Sequence, residues 1–395
     1  MAGFMSTAVL FCLKRFIIPS VCDAGDGLCD DFYTMDSCPV SEATISGTTK
    51  RGNDAPRPSM ADVARLASVS LGTVSNTLNN PDKVSDSTRR RVLGAIAELG
   101  FVRNDAARSL AAGTSTTVGI VLADLGNSLF VDIARGAEAA LRRRGMNLLI
   151  ADSAIDIDRQ LNYLQTFEQA RVAGIILAPL DSAIVEEPSR LTSTTPMVLV
   201  NFESRRHIYS GVVTDERRGG YLAARHLLDL GRRRIAFVGG PLIFRAVELR
   251  YEGARAAVDE VEGATLELIE TLGVNIKHGK QAGRQLAAAS RPQFDGVVAA
   301  SDLIAIGLIQ VFEETPGFSV PRDVAVVGYD NNHFASESSI PVSTVSQPGE
   351  EMGGVAAGLL LDEIWGRAKD EKQTVVLPPT VIPRKSTLGD AWRRD

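Results

Sequence analysis

From Thr117 onward the chain alternates short apolar runs with amphipathic helical stretches, and this alternation restricts the possible folds severely. The apolar runs fall at residues 118–122, 147–151, 174–178, 197–200, 234–238, 296–300, 324–327 and 374–377. Between them, residues 130–144, 158–170, 217–230, 250–261, 279–289, 303–313 and 352–365 carry apolar positions at helical spacing. A strand that is apolar throughout, with a helix on either side of it in sequence, is buried on both faces of a parallel sheet. The expected body is therefore an α/β fold. In such sheets ligands sit beyond the carboxyl ends of the strands, so the loops after each strand hold the candidate site residues.

The segment ahead of Thr117 has a different texture. After the Gly, Ser, Thr and Pro-rich residues 41–58, the spacing predicts a helix over residues 60–67 with Ser59 as N-cap and Asp62 in its positive first turn. Ser68-Val69-Ser70 makes a three-residue turn, and a second helix covers residues 71–78. Asn79-Asn80-Pro81-Asp82 breaks the chain, and a third helix runs over residues 86–99 to Gly100. Val63, Ala67, Val69, Val74 and Leu78 form the core of two crossed helices, with Ala64 small enough for close approach. Leu71, Gly72, Ser75 and Asn76 are left facing outward.

Charge supports a division of labour. The chain carries −6 overall, which argues against coating nucleic acid along its whole surface. Residues 56–113 nevertheless contain eight Lys or Arg against five acids. A basic module on an acidic body suits local contact with DNA.

The motif Ser59-Met-Ala-Asp-Val-Ala-Arg-Leu-Ala-Ser-Val-Ser-Leu-Gly-Thr-Val-Ser-Asn-Thr-Leu-Asn79, followed by Val84-Ser-Asp-Ser-Thr-Arg89 and Ile96-Ala-Glu-Leu-Gly-Phe101, resembles the headpiece of the lac-repressor (LacI/GalR) family. The resemblance is dense over residues 58–113 and continues more sparsely almost to the C-terminus. It implies an all-α helix-turn-helix headpiece joined to a two-lobed, periplasmic-binding-protein-like α/β effector domain. Leu71, Gly72 and Asn76 then fall where the family reads base edges, and Ser59, Thr73, Ser75 and Asn79 where it fixes phosphates. Gly72 offers no side chain, and Asn76 stands where many members carry Arg or His. Asn favours an adenine edge over guanine, so the preferred half-site is not inferred from the better-known ones.

Residues 104–113 resemble the family hinge helix, with Ala107, Leu110 and Ala111 on one face. The resemblance implies that two such helices pair over the minor groove of the operator and wedge their leucines into the central base step. A plain linker helix is the alternative. Nine residues are too few for a stable isolated helix, so ordering is expected only in a dimer on DNA.

Five effector contacts follow from the same resemblance: Asn127 and Phe130 in the loop after the first strand, then Arg250, Asn275 and Asp302. An Arg fork and a carboxylate can hold adjacent hydroxyls in fixed geometry. Two roles stay open for Asp302, ligand contact and capping of the helix that follows. Phe130 is either an aromatic wall of the site or a core residue. Asn275 stands where many members carry a stacking aromatic, which points away from a flat purine-like ligand. Asp215 and Asp330 are hinge or rim candidates.

The expected organisation is an N-terminal extension at 1–55, a headpiece at 56–103, a hinge and linker at 104–116, and an effector domain at 117–390. Lobe 1 is expected at 117–216 and 345–370, and lobe 2 at 217–344 and 371–390. All four cysteines (Cys12, Cys22, Cys29, Cys38) lie in the extension, spaced too widely for a zinc site. A disordered tail or a start assigned too far upstream is the expected reading, and no metal or cofactor is called for. The longest apolar run near the N-terminus, residues 8–13, stops at Lys14 and has no basic stretch ahead of it, so neither a membrane span nor a signal peptide is expected.

The expected partners are therefore a double-stranded operator, a sugar-like small effector and a second or further copies of the chain, as homodimer or tetramer, in the cytoplasm. Two rival classes fit the sequence less well. An exported solute-binding protein would need a leader and no headpiece. An enzyme would be expected to show one of the phosphate-binding, dinucleotide, nucleophile-elbow or zinc-protease motifs, and the chain has none of these and only four histidines.

Overall fold

The computed structural model describes residues 58–102, 115–186, 195–204, 206–288, 292–368 and 371–392. The cysteine-bearing extension at 1–55 and the hinge positions Ala107, Leu110 and Ala111 lie outside the described residues. The chain divides into two compact units after Val102.

The first unit is all-helical, with α1 (Met60–Leu66), α2 (Leu71–Asn79) and α3 (Asp86–Leu99). Ser59 starts α1 with a reciprocal cap: its hydroxyl oxygen accepts from the Asp62 backbone N–H, while the Asp62 carboxylate accepts from the Ser59 backbone N–H. Two of the orphan amides at the helix start are thereby satisfied. Ser70 caps α2 through the Thr73 amide, and Gly100 ends α3 at φ 60°, a left-handed conformation that favours glycine. Val63, Ala64, Ala67, Val74, Val92 and Ala95 form a small buried core, with Val69 and Leu78 packed against it.

The second unit contains two sheets of six strands. In the first, β1 (Thr117–Leu122), β2 (Asn147–Asp152), β3 (Gly174–Leu177), β4 (Met197–Val200), β5 (Ser210–Thr214) and β11 (Thr374–Leu377) pair in the order β11-β5-β4-β3-β1-β2, all parallel. In the second, β6 (Arg234–Gly239), β7 (Thr265–Glu270), β8 (Gly296–Ala299), β9 (Ala325–Asp330), β10 (Ser343–Ser346) and β12 (Thr380–Ile382) pair as β12-β10-β9-β8-β6-β7, with only β12 antiparallel. The central strands are buried along their whole length, as expected for sheets covered on both faces. Helices α4 (Ser128–Arg142), α5 (Ile157–Gln169), α6 (Ser182–Glu186) and α12 (Gly349–Ile364) cover the first sheet. The second is covered by α7 (Glu216–Asp229), α8 (Arg245–Asp259), α9 (Ile276–Leu286), α10 (Asp302–Glu314), α11 (His333–Glu337) and α13 (Lys385–Leu388).

Each lobe carries one helix pair whose backbones nearly touch at glycine. A Cβ on Gly136 would lie 1.9 Å from the Glu350 carbonyl oxygen and one on Gly353 1.9 Å from that of Ile133, binding α4 to α12. In the other lobe Gly220 and Gly253 meet the carbonyls of Arg250 and Arg217 at the same 1.9 Å, binding α7 to α8. No side chain fits at these crossings.

The chain passes between the lobes three times. The first passage lies between β5 and α7 at Asp215, the second between β10 and α12 at Gln347-Pro348, and the third between β11 and β12 at Pro378-Pro379. The Asp215 amide donates to the Leu377 carbonyl at 3.1 Å, which ties the first and third passages together. The expected lobe limits are corrected in two places. Residues 374–377 pair with β5 in the first lobe rather than lying in the second, and residues 345–346 complete β10 in the second lobe.

Candidate functional site

On α2, Leu71 is 53% exposed, Gly72 and Asn76 are exposed, and none of the three contributes to the core. The other expected headpiece contacts are engaged locally. The Thr73 hydroxyl lies 2.9 Å from that of Ser70, Asn79 donates to the Ser75 hydroxyl at 3.2 Å, and Ser59 is held in its cap. These bonds fix rotamers along one edge of α2 while leaving the helix face itself open.

In the second unit the two sheets reverse strand order between β1 and β3 and between β6 and β8. Crevices outside such reversals are where this architecture binds ligands. The loop after β1 brings Asn127 to the N-terminus of α4, where its carbonyl oxygen accepts from the Leu129 amide at 3.0 Å. The same side chain reaches across to the other lobe, donating to Asp330 at 2.8 Å and accepting from Asn332 at 3.2 Å. Beside it, the His333 amide donates to the Ser128 hydroxyl at 2.9 Å, and the His333 imidazole lies 3.1 Å from both Asp132 carboxylate oxygens. The first turn of α4 is thus latched to the β9–α11 loop.

Behind the latch is a buried polar cluster. Arg250 is only 6% exposed and makes a fork with Glu216, with bonds of 2.7 and 3.0 Å. It also donates to the Ala300 carbonyl at 2.6 Å, approaches Asp330 at 3.6 Å, and stacks 3.7 Å from the centre of the Tyr329 ring. Burial alone lowers the Arg250 pKa, but the charges of Glu216 and Asp330 overcome it and the net shift is upward. Asp330 receives further bonds from Asn127 and Gln347, at 2.8 Å each, yet burial holds its pKa above the usual carboxylate range. Asp330 and Asn331 adopt φ of 99° and 59°, a conformation that costs a non-glycine residue energy and that the surrounding bonds must maintain.

Asp302 is fully buried. It does not cap its helix: Ser301 is the N-cap of α10, accepting from the Ile304 amide at 3.2 Å. Asp302 instead accepts from the Asn332 amide at 2.6 Å, while its other oxygen has no partner among the described residues and faces Gly328. Burial, and then the Asp330 charge, push its pKa far upward. It underpins the latch loop from within the lobe. Asn275 caps α9, accepting from the His278 amide at 3.2 Å, and is exposed. Phe130 is 8% exposed within the core of the first lobe. Asp215 caps α7.

The structure therefore brings Asn127, Arg250 and Asp302 to one cluster, and sets Asn275 and Phe130 in a cap and a core. Glu216, Tyr329, Asn332, His333 and Gln347 belong to the cluster and the latch but were missed from sequence. Each lies within three residues of the carboxyl end of a strand, a placement that the sequence analysis named as a whole without singling these residues out. Among the described residues no helix is long and apolar enough to cross a membrane, and no group of three or more metal-ligating side chains is found.

Comparison with known proteins agrees with this arrangement. Residues 59–104 match the bacterial regulatory proteins of the lacI family, and residues 224–387 match a periplasmic binding protein-like domain. The HTH-type transcriptional regulator RegA of Clostridium saccharobutylicum is 35% identical over 84% of this chain and 99% of its own length. The ribose operon repressor of Bacillus subtilis is 35% identical over 82% of this chain and 97% of its own. The crystal structure of the lac repressor dimer bound to operator and the anti-inducer ONPF superposes with a TM-score of 0.71 at 26% identity, covering 84% of this chain and 99% of that one. With a capped helix-turn-helix, a two-lobed body crossed three times and relatives matched over nearly their full length, the chain belongs to the LacI family of bacterial regulatory proteins.

Proposed function

We propose that this protein is a cytoplasmic, sequence-specific transcriptional repressor whose hold on DNA is set by a neutral sugar-like ligand bound between its lobes. The observation that carries the DNA half is the outer face of α2, where Leu71, Gly72 and Asn76 are exposed and serve neither core nor cap. In this reading α2 enters the major groove, Leu71 and Asn76 meet base edges, and Ser59, Thr73, Ser75 and Asn79 meet phosphates. The headpiece is the segment 56–103. Residues 104–116 form the hinge, with Ala107, Leu110 and Ala111 against the minor groove and Leu110 as the wedge.

The ligand half rests on the cluster at the strand ends. The carboxylates of Glu216 and Asp330 face one buried guanidinium, that of Arg250, so the cleft favours a ligand that donates hydrogen bonds over an anionic one. Asn127 is the proposed contact from the first lobe. Asn275 and Phe130 border the site, and Asp302 acts on it through the Asn332 loop. Ligand that prefers one lobe angle shifts the population of that angle, and reciprocally DNA shifts the affinity for ligand.

A homodimer matches a pseudo-palindromic operator. Two apolar surfaces without partners in the described chain support a second copy. One is the edge strand β2, with Leu149 and Ile150 exposed. The other is a groove of about 390 Å³ in which Ile276, Ile306, Ile309 and Phe334 are rimmed by Gln310, Glu337, Ser338 and Ser339.

Two measurements test the reading. Selection from a random duplex library is expected to enrich one pseudo-palindromic site, and a library without enrichment refutes sequence-specific binding. Thermal unfolding with a panel of pentoses, hexoses, nucleosides and sugar phosphates is expected to show stabilisation by an uncharged sugar, worth about 2.7 kcal/mol at a hundredfold excess over Kd. Stabilisation by a sugar phosphate alone overturns the ligand class.

A further inference from the structure

Each lobe contains an Arg-Arg-Arg run where a helix turns into a strand, at the edge strand β2 in the first lobe and at the inner strand β6 in the second. In the second lobe Arg232, Arg233 and Arg234 lie between α7 and β6 and are turned back onto the protein. Arg232 donates to the carbonyls of Pro321 and Arg322, Arg233 to that of Leu228, and Arg234 to the Asp295 carboxylate. In the first lobe Arg142, Arg143 and Arg144 lie between α4 and β2 and all three are exposed. Only Arg142 has a carboxylate partner among the described residues, Glu138 at 3.3 Å, and that pair is open to solvent. Arg144 and Arg367 approach the ring of Trp365, at 5.9 and 4.7 Å from its centre. Trp365 is itself 39% exposed, an unusual state for so large an apolar ring.

This face has a definite place in the fold. The Asn147 amide donates to the Thr116 carbonyl, so the turn carrying the three arginines abuts the point where the chain enters the first lobe from the headpiece. The linker of residues 103–116 can span at most about 50 Å, a length that allows a duplex gripped by the headpiece to reach this end of the lobe. On a chain of net charge −6, a guanidinium cluster in which Arg142 alone has a carboxylate at ion-pair distance among the described residues has a complement in the phosphate backbone.

We propose that Arg143, Arg144 and Arg367, with Arg142 beside them, form a second DNA-backbone contact on the first lobe, which holds duplex without reading its sequence. The inference rests on the DNA-binding reading above and adds to it. Trp365 orients two of the guanidinium groups by cation–π contact, so less side-chain freedom is lost when phosphate arrives.

The test uses the full-length chain and a labelled random-sequence duplex of about 40 bp, with fluorescence anisotropy followed over a KCl series; each phosphate contact contributes about 0.9 to the slope of log K against log salt. The variant Arg143→Gln/Arg144→Gln/Arg367→Gln is expected to lower that slope by about 2–3. Arg143→Gln alone, at a residue with no carboxylate partner among the described residues, is expected to lower it by about 0.9. Both should keep the parent's thermal midpoint. A parent that binds the duplex with a slope unchanged in both variants overturns the second contact alone. A parent that binds no duplex at low salt overturns the DNA-binding reading and this contact with it.

Discussion

Replacing Arg250 with Met is the sharpest test of how the cleft is held. The side chain is buried, forks onto Glu216 and approaches Asp330 at 3.6 Å, so its removal strands two buried carboxylates near one another. Breaking one side of a buried ion pair costs about 3–5 kcal/mol, because the surviving charge keeps its desolvation penalty without its compensation. For a body of this size each kcal/mol moves the midpoint by about 2–4 °C, so Arg250→Met is expected to lower Tm by on the order of 10 °C. The double variant Glu216→Gln/Arg250→Met should recover more than half of that loss, since the most tightly coupled carboxylate is gone. Thermal denaturation followed by circular dichroism at neutral pH reads both. An Arg250→Met protein as stable as the parent, or a double variant no more stable than the single one, refutes the charge-compensation argument.

Three further outcomes are expected. Burial raises the pKa of Asp302 and Asp330, so the stability they contribute is full below about pH 4 and declines as pH rises through their folded values. Asp302→Asn, which keeps an acceptor for the Asn332 amide, should flatten that decline in pH-resolved urea titrations; a parallel curve argues against a raised Asp302 pKa. Ser59→Ala removes the reciprocal cap of α1 and should cost about 0.5–2 kcal/mol of headpiece stability, which hydrogen exchange of the α1 amides reads. Leu110→Ala should leave thermal stability unchanged and weaken selected-operator affinity far more than random-duplex affinity; equal loss on both DNAs rules out the wedge.

Much of this architecture was legible in the sequence where one physical signal acted alone. Ser59 and Gly100 mark helix ends because capping is a local matter of one hydroxyl or one left-handed residue, and both do so in the structure. Central strands such as Gly174–Leu177 were readable because burial on both faces leaves an unbroken apolar run. Four strands escaped this test. Thr265–Glu270 is an edge strand with alternating exposure, and Ser210–Thr214, Ser343–Ser346 and Thr380–Ile382 are short and rich in Ser or Thr whose hydroxyls find partners only in the folded state. The cleft was legible only in part for the same reason. Asp302 looked like a helix cap because it begins a helical run, but Ser301 sits one residue earlier with the geometry a cap requires. Glu216, Asn332 and Gln347 acquire their roles from partners 34, 30 and 17 residues away, which no local pattern displays.

The Pro378-Pro379 passage has a mechanical consequence. From Leu377 to Thr380 the chain can extend to about 10 Å at most, and two fixed proline φ angles make that span stiff. Because the Asp215 amide is bonded to Leu377, the neighbouring span is braced by it. The two lobes are in effect plates riveted along one margin. They cannot draw apart there, so the freedom left to them is a change of angle about that margin. Whatever occupies the space between the plates therefore sets an angle between them rather than a separation along that margin.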